Sequence, residues 1–367
     1  MSRWQKFVEK IKTPQGKKIL IIVIIFIILL GALGWVIYNR YFKHTIKENI
    51  PNQIQFEVKK EKIEEKEVSN LDGVKYKKDI ANRHPIAIMV ENHPDARPQV
   101  GLDKASIIYE AEAEGGITRF MPIYGPEDAD KVGPVRSART YFLDWALEYN
   151  AFYAHCGGNS DALEIIPQIG IKDLDQFSYG TQAYWRESED KAIEHTLYTD
   201  TNKLREIAKS NGWETSTSDF RALKFKTDIK EENRPQSQTV NVNFSGPLYN
   251  VQWIYDKKDN NYSRMMGGVN HNDRITGQQL KTKNIIVQEV PRSLIEYANG
   301  DTGWKMQTVG EGNAYIFLDG KKIDAKWKKE NRNSRTIFYD PNGNEIELNP
   351  GVTWYEILPS LTSISVE

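Results

Sequence analysis

The chain has 367 residues, 39% hydrophobic and 27% charged, and its 49 basic and 50 acidic side chains leave a net charge of −1. That length predicts about two domains with enough apolar mass for a real core, and the balanced charge argues against a nucleic-acid partner, which calls for a basic excess or a basic face. The single cysteine, Cys156, excludes an intramolecular disulfide framework and a cysteine-ligated zinc cluster.

Residues 1–18 carry Arg3, Lys6, Lys10, Lys12, Lys17 and Lys18 against one acid, Glu9. Residues 19–38 (ILIIVIIFIILLGALGWVIY) then run without a charge. As a helix, this stretch spans roughly 30 Å of hydrocarbon and satisfies its own backbone polar groups. Trp35 and Tyr38 suit the headgroup layer at one end, and Arg40, Lys43 and Lys47 follow. The flanking bias predicts a single-pass anchor in the cell membrane, with a cytoplasmic N-terminus and an extracellular C-terminal bulk. No cysteine stands directly after the apolar run, so a lipobox is absent. Ala32 and Gly34 form a small-x-small pair that keeps a cleaved signal peptide open as the alternative.

Residues 39–83, with the dense run VKKEKIEEKEV at 58–68, read as a polar, solvated stalk. An α/β or α+β extracytoplasmic domain is expected over 84–226. Its predicted strands lie at 86–90, 105–113 and 117–124, the last two joined tightly at Gly115-Gly116. A helix is predicted over 138–149, with Phe142, Trp145, Ala146 and Tyr149 on one face, then a strand at 151–155 before Gly157-Gly158. Asn159 or Ser160 is placed to cap a further helix, and Thr199 or Thr201 another whose inner face is Leu204, Ile207 and Ala208. Residues 227–238 (TDIKEENRPQSQ) read as a linker. Over 239–364 the pattern is all strand: Val240, Val242 and Phe244 alternate with polar residues, and Asp319-Gly320 and Asn342-Gly343 mark hairpins. A smaller, antiparallel all-β domain, sandwich or barrel, is expected there.

The stretch richest in chemistry is 110–139. Glu110, Glu112 and Glu114 alternate, so on a regular strand they share one face, which must be wet, paired or coordinating. Arg119 follows, and GPVRSAR brings Arg136, Ser137 and Arg139 to a helix start, where two guanidinium forks suit an anionic oxygen ligand. The competing reading makes these arginines structural partners of the acids. His93, His155 and His195 are candidate acid–bases by residue type. Cys156 reads as a small buried residue more readily than as a nucleophile. In the second half, RMMGGVNHNDRITGQ holds His271 and Asp273 as candidates for a saccharide or a metal, against the plainer reading of a turn network. Trp253, Trp304, Trp327 and Trp354 could stack on sugars, although core packing explains them better. No metal ligand set is assigned, no cofactor is readable, and no nucleophile elbow, P-loop or HExxH pattern occurs.

The strings IAIMVENHPDARPQVGLDKASIIYEAEAEGGITRF, GPVRSAR, YAHCGG, AIEHTLYT, GGVNHND, GEGNAYIFLDGKKIDAKW and LNPGVTW, in that order over about 84–364, resemble the signature blocks of the YerB-like family (DUF3048). The resemblance implies a two-domain extracytoplasmic body of the Gram-positive envelope, with no established activity. It implies motif roles for Asn92, Arg97, Pro98, Glu110, Glu114, Gly115, Gly116, Thr118, Arg119, Arg136, Ser137, Arg139 and Gly158. Family members are lipoproteins, whereas this chain carries an apolar helix in place of a lipobox. Two functions follow as expectations. One is a membrane-anchored protein that binds an anionic or saccharide wall component, or an envelope partner protein, through the Arg/Glu cluster. The other is an envelope hydrolase or transferase built on the same cluster with His155 and His195.

Overall fold

The computed structural model describes residues 2–42, 65–188, 190–217, 219–297, 300 and 302–367. The chain forms two units, Met1–Ile63 and Glu64–Glu367.

In the first unit, Ser2 and Gln5 form a reciprocal capping box that opens the helix Arg3–Lys12. Thr13 caps a second helix, Pro14–Ile37, whose proline occupies the first turn, where no backbone donor is lost. This helix is 24 residues long, about 36 Å at 1.5 Å per residue, and buries none of them. Ile21, Phe26, Leu29 and Trp35 are all more than half exposed. A helix that is apolar on every side and covered by no protein has the length and composition to cross a membrane.

The second unit opens with a short hairpin, β1 (Lys66–Val68) and β2 (Lys75–Lys77), and the helix Lys78–Ala81. Of the segment expected as a stalk over 39–83, residues 43–64 lie outside the described residues, and 65–83 are folded. Leu71 and Asp72 are buried, and Asp72 accepts hydrogen bonds from Ser106 Oγ at 2.6 Å and Tyr76 OH at 3.1 Å.

The strands that follow are β3 (Ile86–Ile88), β4 (Val90–Glu91), β5 (Ile107–Glu114), β6 (Ile117–Tyr124), β7 (Phe152–His155), β8 (Lys172–Asp175), β9 (Tyr184–Arg186) and β10 (Leu197–Thr199). The later half adds β11 (Thr239–Asn243), β12 (Asn250–Asp256), β13 (Asn261–Met266), β14 (Val269–Asn270), β15 (Lys281–Thr282), β16 (Asn284–Glu289), β17 (Arg292–Glu296), β18 (Thr302–Met306), β19 (Gly310–Leu318), β20 (Lys321–Lys329), β21 (Ile337–Tyr339), β22 (Thr353–Leu358) and β23 (Ile364–Val366). The helices Thr140–Leu147, Ser160–Ile165 and Thr201–Ser210 intervene. The earlier half is therefore mixed α/β and the later half all β.

The main sheet has eleven strands in the order β21-β20-β19-β16-β22-β5-β6-β3-β7-β8, with β4 beside β6. It joins the two halves of the chain, because β22 lies between β16 and β5 and runs parallel to both. The two central strands β16 and β22 are buried almost throughout, as interior strands covered on both faces must be. A second sheet, β14-β13-β12-β11-β23 with β15 beside β13, covers one face; Trp253, Val251 and Tyr262 pack there against Ile108, Phe120 and Trp354. The helix Thr140–Leu147 covers the other, where Tyr141, Phe142 and Trp145 meet Tyr109, Met121 and Tyr355.

The hairpin signals act as expected. Gly115 and Gly116 have φ of 60° and 79°, and Asp319 and Gly320 have 55° and 69°, the double positive φ of the tight turn that matches strand twist. The helix Thr201–Ser210 buries Leu204, Ile207 and Ala208, but its cap is Asp200, not a threonine. Asn159 caps Ser160–Ile165. The polar segment 227–238 does not hang free as a linker: Lys283 Nζ bonds Asp228 at 2.7 Å, and Arg234 donates to the carbonyls of Ile229 and Lys257. Beyond Asn342-Gly343, the expected strand reduces to isolated bridges.

Candidate functional site

The three alternating glutamates do not share a face. Glu110 lies opposite Phe120 in the β5/β6 register and Ala111 opposite Arg119, but the register shifts between Glu112 and Glu114. That bulge turns the last acid over, so Glu114 meets Arg119, on the face opposite Glu110. Each acid has its own cation. Glu110 pairs with Arg264, Glu112 with Arg292 at 2.6 Å, and Glu114 with Arg119 at 3.2 Å and Arg139.

Arg119, Ser137, Arg139 and Glu114 do come together. The segment 135–138 is extended, held by Arg136 N to Met89 O (2.9 Å), Cys156 N to Arg136 O (3.0 Å) and Ala138 N to Gly157 O (2.9 Å). This fixes it between the chain just beyond β3 and the chain just beyond β7. Arg119, fully buried from β6, donates Nη1 to Ser137 O at 2.9 Å. Arg139 clasps Glu114 through Nε (2.9 Å) and Nη2 (2.6 Å). Burial pushes the Glu114 carboxyl up, but Arg119 and Arg139 outweigh it and hold it below its ordinary value. Arg119 is pulled down to about 10, first by burial and then by Arg139, with Arg136 adding to the repulsion. Arg119 therefore senses both neighbouring guanidiniums. Glu114, Ser137 and Arg139 line a cleft of about 460 Å³ closed by Gly158, Asn159, Ser160, Tyr297 and Thr302.

Next to this cleft, Arg136 Nε reaches Glu91 Oε1 at 3.0 Å, while Glu91 Oε2 holds His195 Nδ1 at 2.7 Å. Three guanidiniums, Arg119, Arg136 and Arg139, thus meet two carboxylates, Glu91 and Glu114. Ser137 and Tyr297 line the cleft together with Arg139, while Arg136, the most exposed of the three guanidiniums, is not among the lining residues. Glu91 and Tyr297 were not singled out in the sequence, and Asn159 only as a helix cap. Glu91 left a trace there as an acid beside the candidate Asn92 at the end of an apolar strand.

Asn92, Arg97, Glu110 and His271 belong elsewhere, in a buried network centred on Arg264. The Arg264 guanidinium, wholly enclosed, donates Nη2 to Glu110, Nη1 to Glu356 at 2.8 Å and Nε to His271 Nδ1 at 3.0 Å. It lies 4.3 Å from the Trp354 ring centroid. His271 Nε2 meets Gln99 Oε1 at 2.8 Å, and Gln99 and Arg97 both donate to Asn92 Oδ1 at 3.0 Å. An imidazole that accepts from arginine at one nitrogen and donates at the other is neutral. Burial, then Arg264, holds its pKa well below the ordinary value. The sequence signal for Arg264 was its place in β13 between Tyr262 and Met266, on the strand's inward face. A cation at an apolar position requires a buried acid.

Glu110 and Glu356 face each other in the parallel β5/β22 register. Both Glu110 oxygens accept, from Thr118, Asn92 and Arg264. Glu356 accepts only at Oε1, from Trp253 and Arg264, and its Oε2 has no partner. Burial raises the Glu356 carboxyl to about 8, with Arg264 opposing and Glu110 assisting. A carboxyl raised in the folded state keeps a proton that the unfolded chain has lost, so stability falls as pH rises from about 4.5 to about 8. His271 acts oppositely, but only below about 6.5, where the unfolded imidazole takes up a proton. Between pH 6.5 and 8, the wild type should therefore lose about 1–2 kcal/mol, and Glu356→Gln should abolish that loss. Urea unfolding at several pH values checks this, and equal slopes for both proteins would refute a shared proton at the site.

His155 is enclosed, with Nδ1 on Gly157 O at 2.7 Å and Nε2 on Asp173 at 2.8 Å. Neither nitrogen is left for catalysis, and the ring does not join the arginines. Asp273 accepts from the backbone N–H groups of Ile275 and Thr276 at 2.9 and 3.1 Å and from Gly101 at 2.5 Å, a loop-closing network. Cys156 lies 3.4 Å from Gln176 Oε1, and burial raises its thiol pKa, the opposite of an activated nucleophile. Trp253, Trp327 and Trp354 are core residues, and Trp304 lies under Arg292 at 4.0 Å.

Comparison with known proteins agrees with this architecture. Residues 71–214 match the model of the N-terminal domain of the protein of unknown function DUF3048, and residues 240–355 that of its C-terminal domain. The chain is 30% identical over 296 residues to YerB of Bacillus subtilis (strain 168), whose name describes it as a lipoprotein; the match covers 81% of this chain and 87% of YerB. The crystal structure of YerB superposes with a TM-score of 0.73 at 30% identity, covering 82% of this chain and 99% of that one.

Proposed function

The chain belongs to the YerB-like DUF3048 family, and from that premise we propose that it is a membrane-anchored extracytoplasmic protein that binds an anionic component of the cell envelope in the Arg139 cleft. The helix Pro14–Ile37 takes the place of a lipid as anchor, and the basic residues ahead of it favour a cytoplasmic N-terminus. Binding rests on one observation: three arginines share two carboxylates beside an open cleft with hydroxyl groups on its wall. Guanidinium forks recognise carboxylate and phosphate oxygens in two-point geometry, and Arg139 presents one on the cleft wall beside the Ser137 hydroxyl.

The test uses the full chain in detergent, sedimented with purified wall sacculi that carry or lack their phosphate-bearing polymers. Each charge-assisted bond contributes about 1.5–3 kcal/mol, so Arg136→Ala with Arg139→Ala should weaken retention by at least about tenfold. A folded double variant that is retained like the wild type would remove the cleft from consideration. Protease added to intact cells should digest the bulk of the protein, whereas protection until lysis would place that bulk in the cytosol.

A further inference from the structure

We infer that His93, Asp95 and His195 form a site for a divalent transition-metal ion of the zinc class. The three side chains come from two separate segments, the turn after β4 and the turn before β10. One ligand atom from each lies within 4.8 Å of the others. The rings of His93 and His195 stack with centroids 5.0 Å apart and planes at 11°.

The support behind His195 favours a ligand over a packing role. Its Nδ1 is fixed at 2.7 Å by Glu91 Oε2, and the Glu91 side chain is nearly buried and is itself held by Arg136 at 3.0 Å. A carboxylate on one imidazole nitrogen selects the tautomer and raises the basicity of the other, the usual arrangement behind a metal-bound histidine. The Nε2 atom has no partner among the described residues. His93 and Asp95 lie on the solvent side, where the Asp95 side chain is largely exposed and His93 a third exposed. Tetrahedral donors at 2.0–2.1 Å from an ion lie about 3.3 Å apart. Rotation of the exposed Asp95 and His93 side chains supplies the remaining closure. Glu194, exposed next to His195, adds a carboxylate at the mouth.

Two imidazoles and one carboxylate suit Zn²⁺ and its neighbours, not Mg²⁺ or Ca²⁺, which take oxygen-rich shells. Three protein ligands leave a fourth position open on the solvent side. The metal site shares Glu91 and Arg136 with the arginine cluster but none of Glu114, Ser137 and Arg139, so zinc titration and the retention of Arg139→Ala alone on sacculi let the two readings fail separately.

The experiment titrates full-length protein in detergent, stripped with chelator, with ZnCl₂ by calorimetry, and with Co²⁺ followed by visible absorption. One equivalent should bind. His93→Ala, at a partly exposed turn position, and Asp95→Ala, at an exposed one, should each weaken binding at least tenfold with an unchanged urea midpoint. Glu91→Gln should weaken it about 10–100-fold without abolishing it. Cys156→Ala should change nothing, and millimolar Mg²⁺ should not compete. Absence of saturable Zn²⁺ binding, unchanged affinity in His93→Ala and Asp95→Ala, or displacement by Mg²⁺ would each overturn the assignment.

Discussion

Arg264→Met is expected to cost about 3–5 kcal/mol of folding stability. The guanidinium sits at zero exposure between two equally enclosed carboxyl groups, Glu110 and Glu356. Methionine fills much of the volume and keeps contact with Trp253 and Trp354, so the loss is electrostatic, not a cavity. Without Arg264, Glu110 is a buried charge whose remaining donors, Thr118 and Asn92, are neutral. His271 also loses the donor to its Nδ1. The check is the urea midpoint followed by tryptophan fluorescence. The triple variant Arg264→Met, Glu110→Gln, Glu356→Gln should recover most of the deficit, because removing a buried ion cluster as a whole costs far less than stranding one partner. A loss below about 1 kcal/mol for Arg264→Met would show that the network carries no weight in folding.

Glu148→Gln should have an effect of the same size at a second junction. Glu148 follows the helix Thr140–Leu147 and is fully enclosed. It takes Lys329 at 2.9 Å and Arg335 at 2.6 Å from the later half of the chain, and also the hydroxyl and backbone N–H of Thr336. Burial pulls the Lys329 ammonium pKa down. Its three N–H groups nevertheless have three acceptors, Glu148 Oε1, Asp144 O and Ser334 O, and the cation is retained. The amide removes the counter-charge that the two buried cations share and leaves Lys329 only the Asp144 carboxylate, outside direct contact, which costs about 3–5 kcal/mol. For Glu148, burial acts upward, but Lys329 and Arg335 prevail and the pKa is lowered. A depressed carboxyl stabilises the fold above its unfolded value of about 4.5, and that stability disappears as pH falls through the folded value. The wild type should therefore lose stability on acidification below about 4.5, and Glu148→Gln should lose less. If the two proteins respond alike to acid, Glu148 is not the responsible carboxylate.

Both junctions show why the site was only partly legible in the sequence. Local patterns carried the apolar helix, the turn glycines at 115–116 and 319–320, and the inner faces of the helices, because periodicity and positive φ depend on near neighbours. The arginines 119, 136 and 139 drew notice as charges at a turn and a helix start, and the structure groups them. Glu110 was credited to the same surface because strict alternation assigns one face to every second residue. A single bulged residue before Glu114 breaks that rule and leaves no mark in residue type. The partner of Glu110 lies 154 positions away.

The sequence alone determined the apolar segment, the mixed first half and the β-rich second half, since hydrophobic period and turn chemistry act within a few residues. Tertiary structure alone decided that β22 slots in beside β5, that Glu110 is buried while Glu114 opens on a cleft, and that His195 meets His93 across a hundred residues. These outcomes depend on which strands pair and in what register. Pairing is chosen by the whole chain as it buries apolar area and finds a counter-charge for every enclosed ion, so no short window of residues contains the answer.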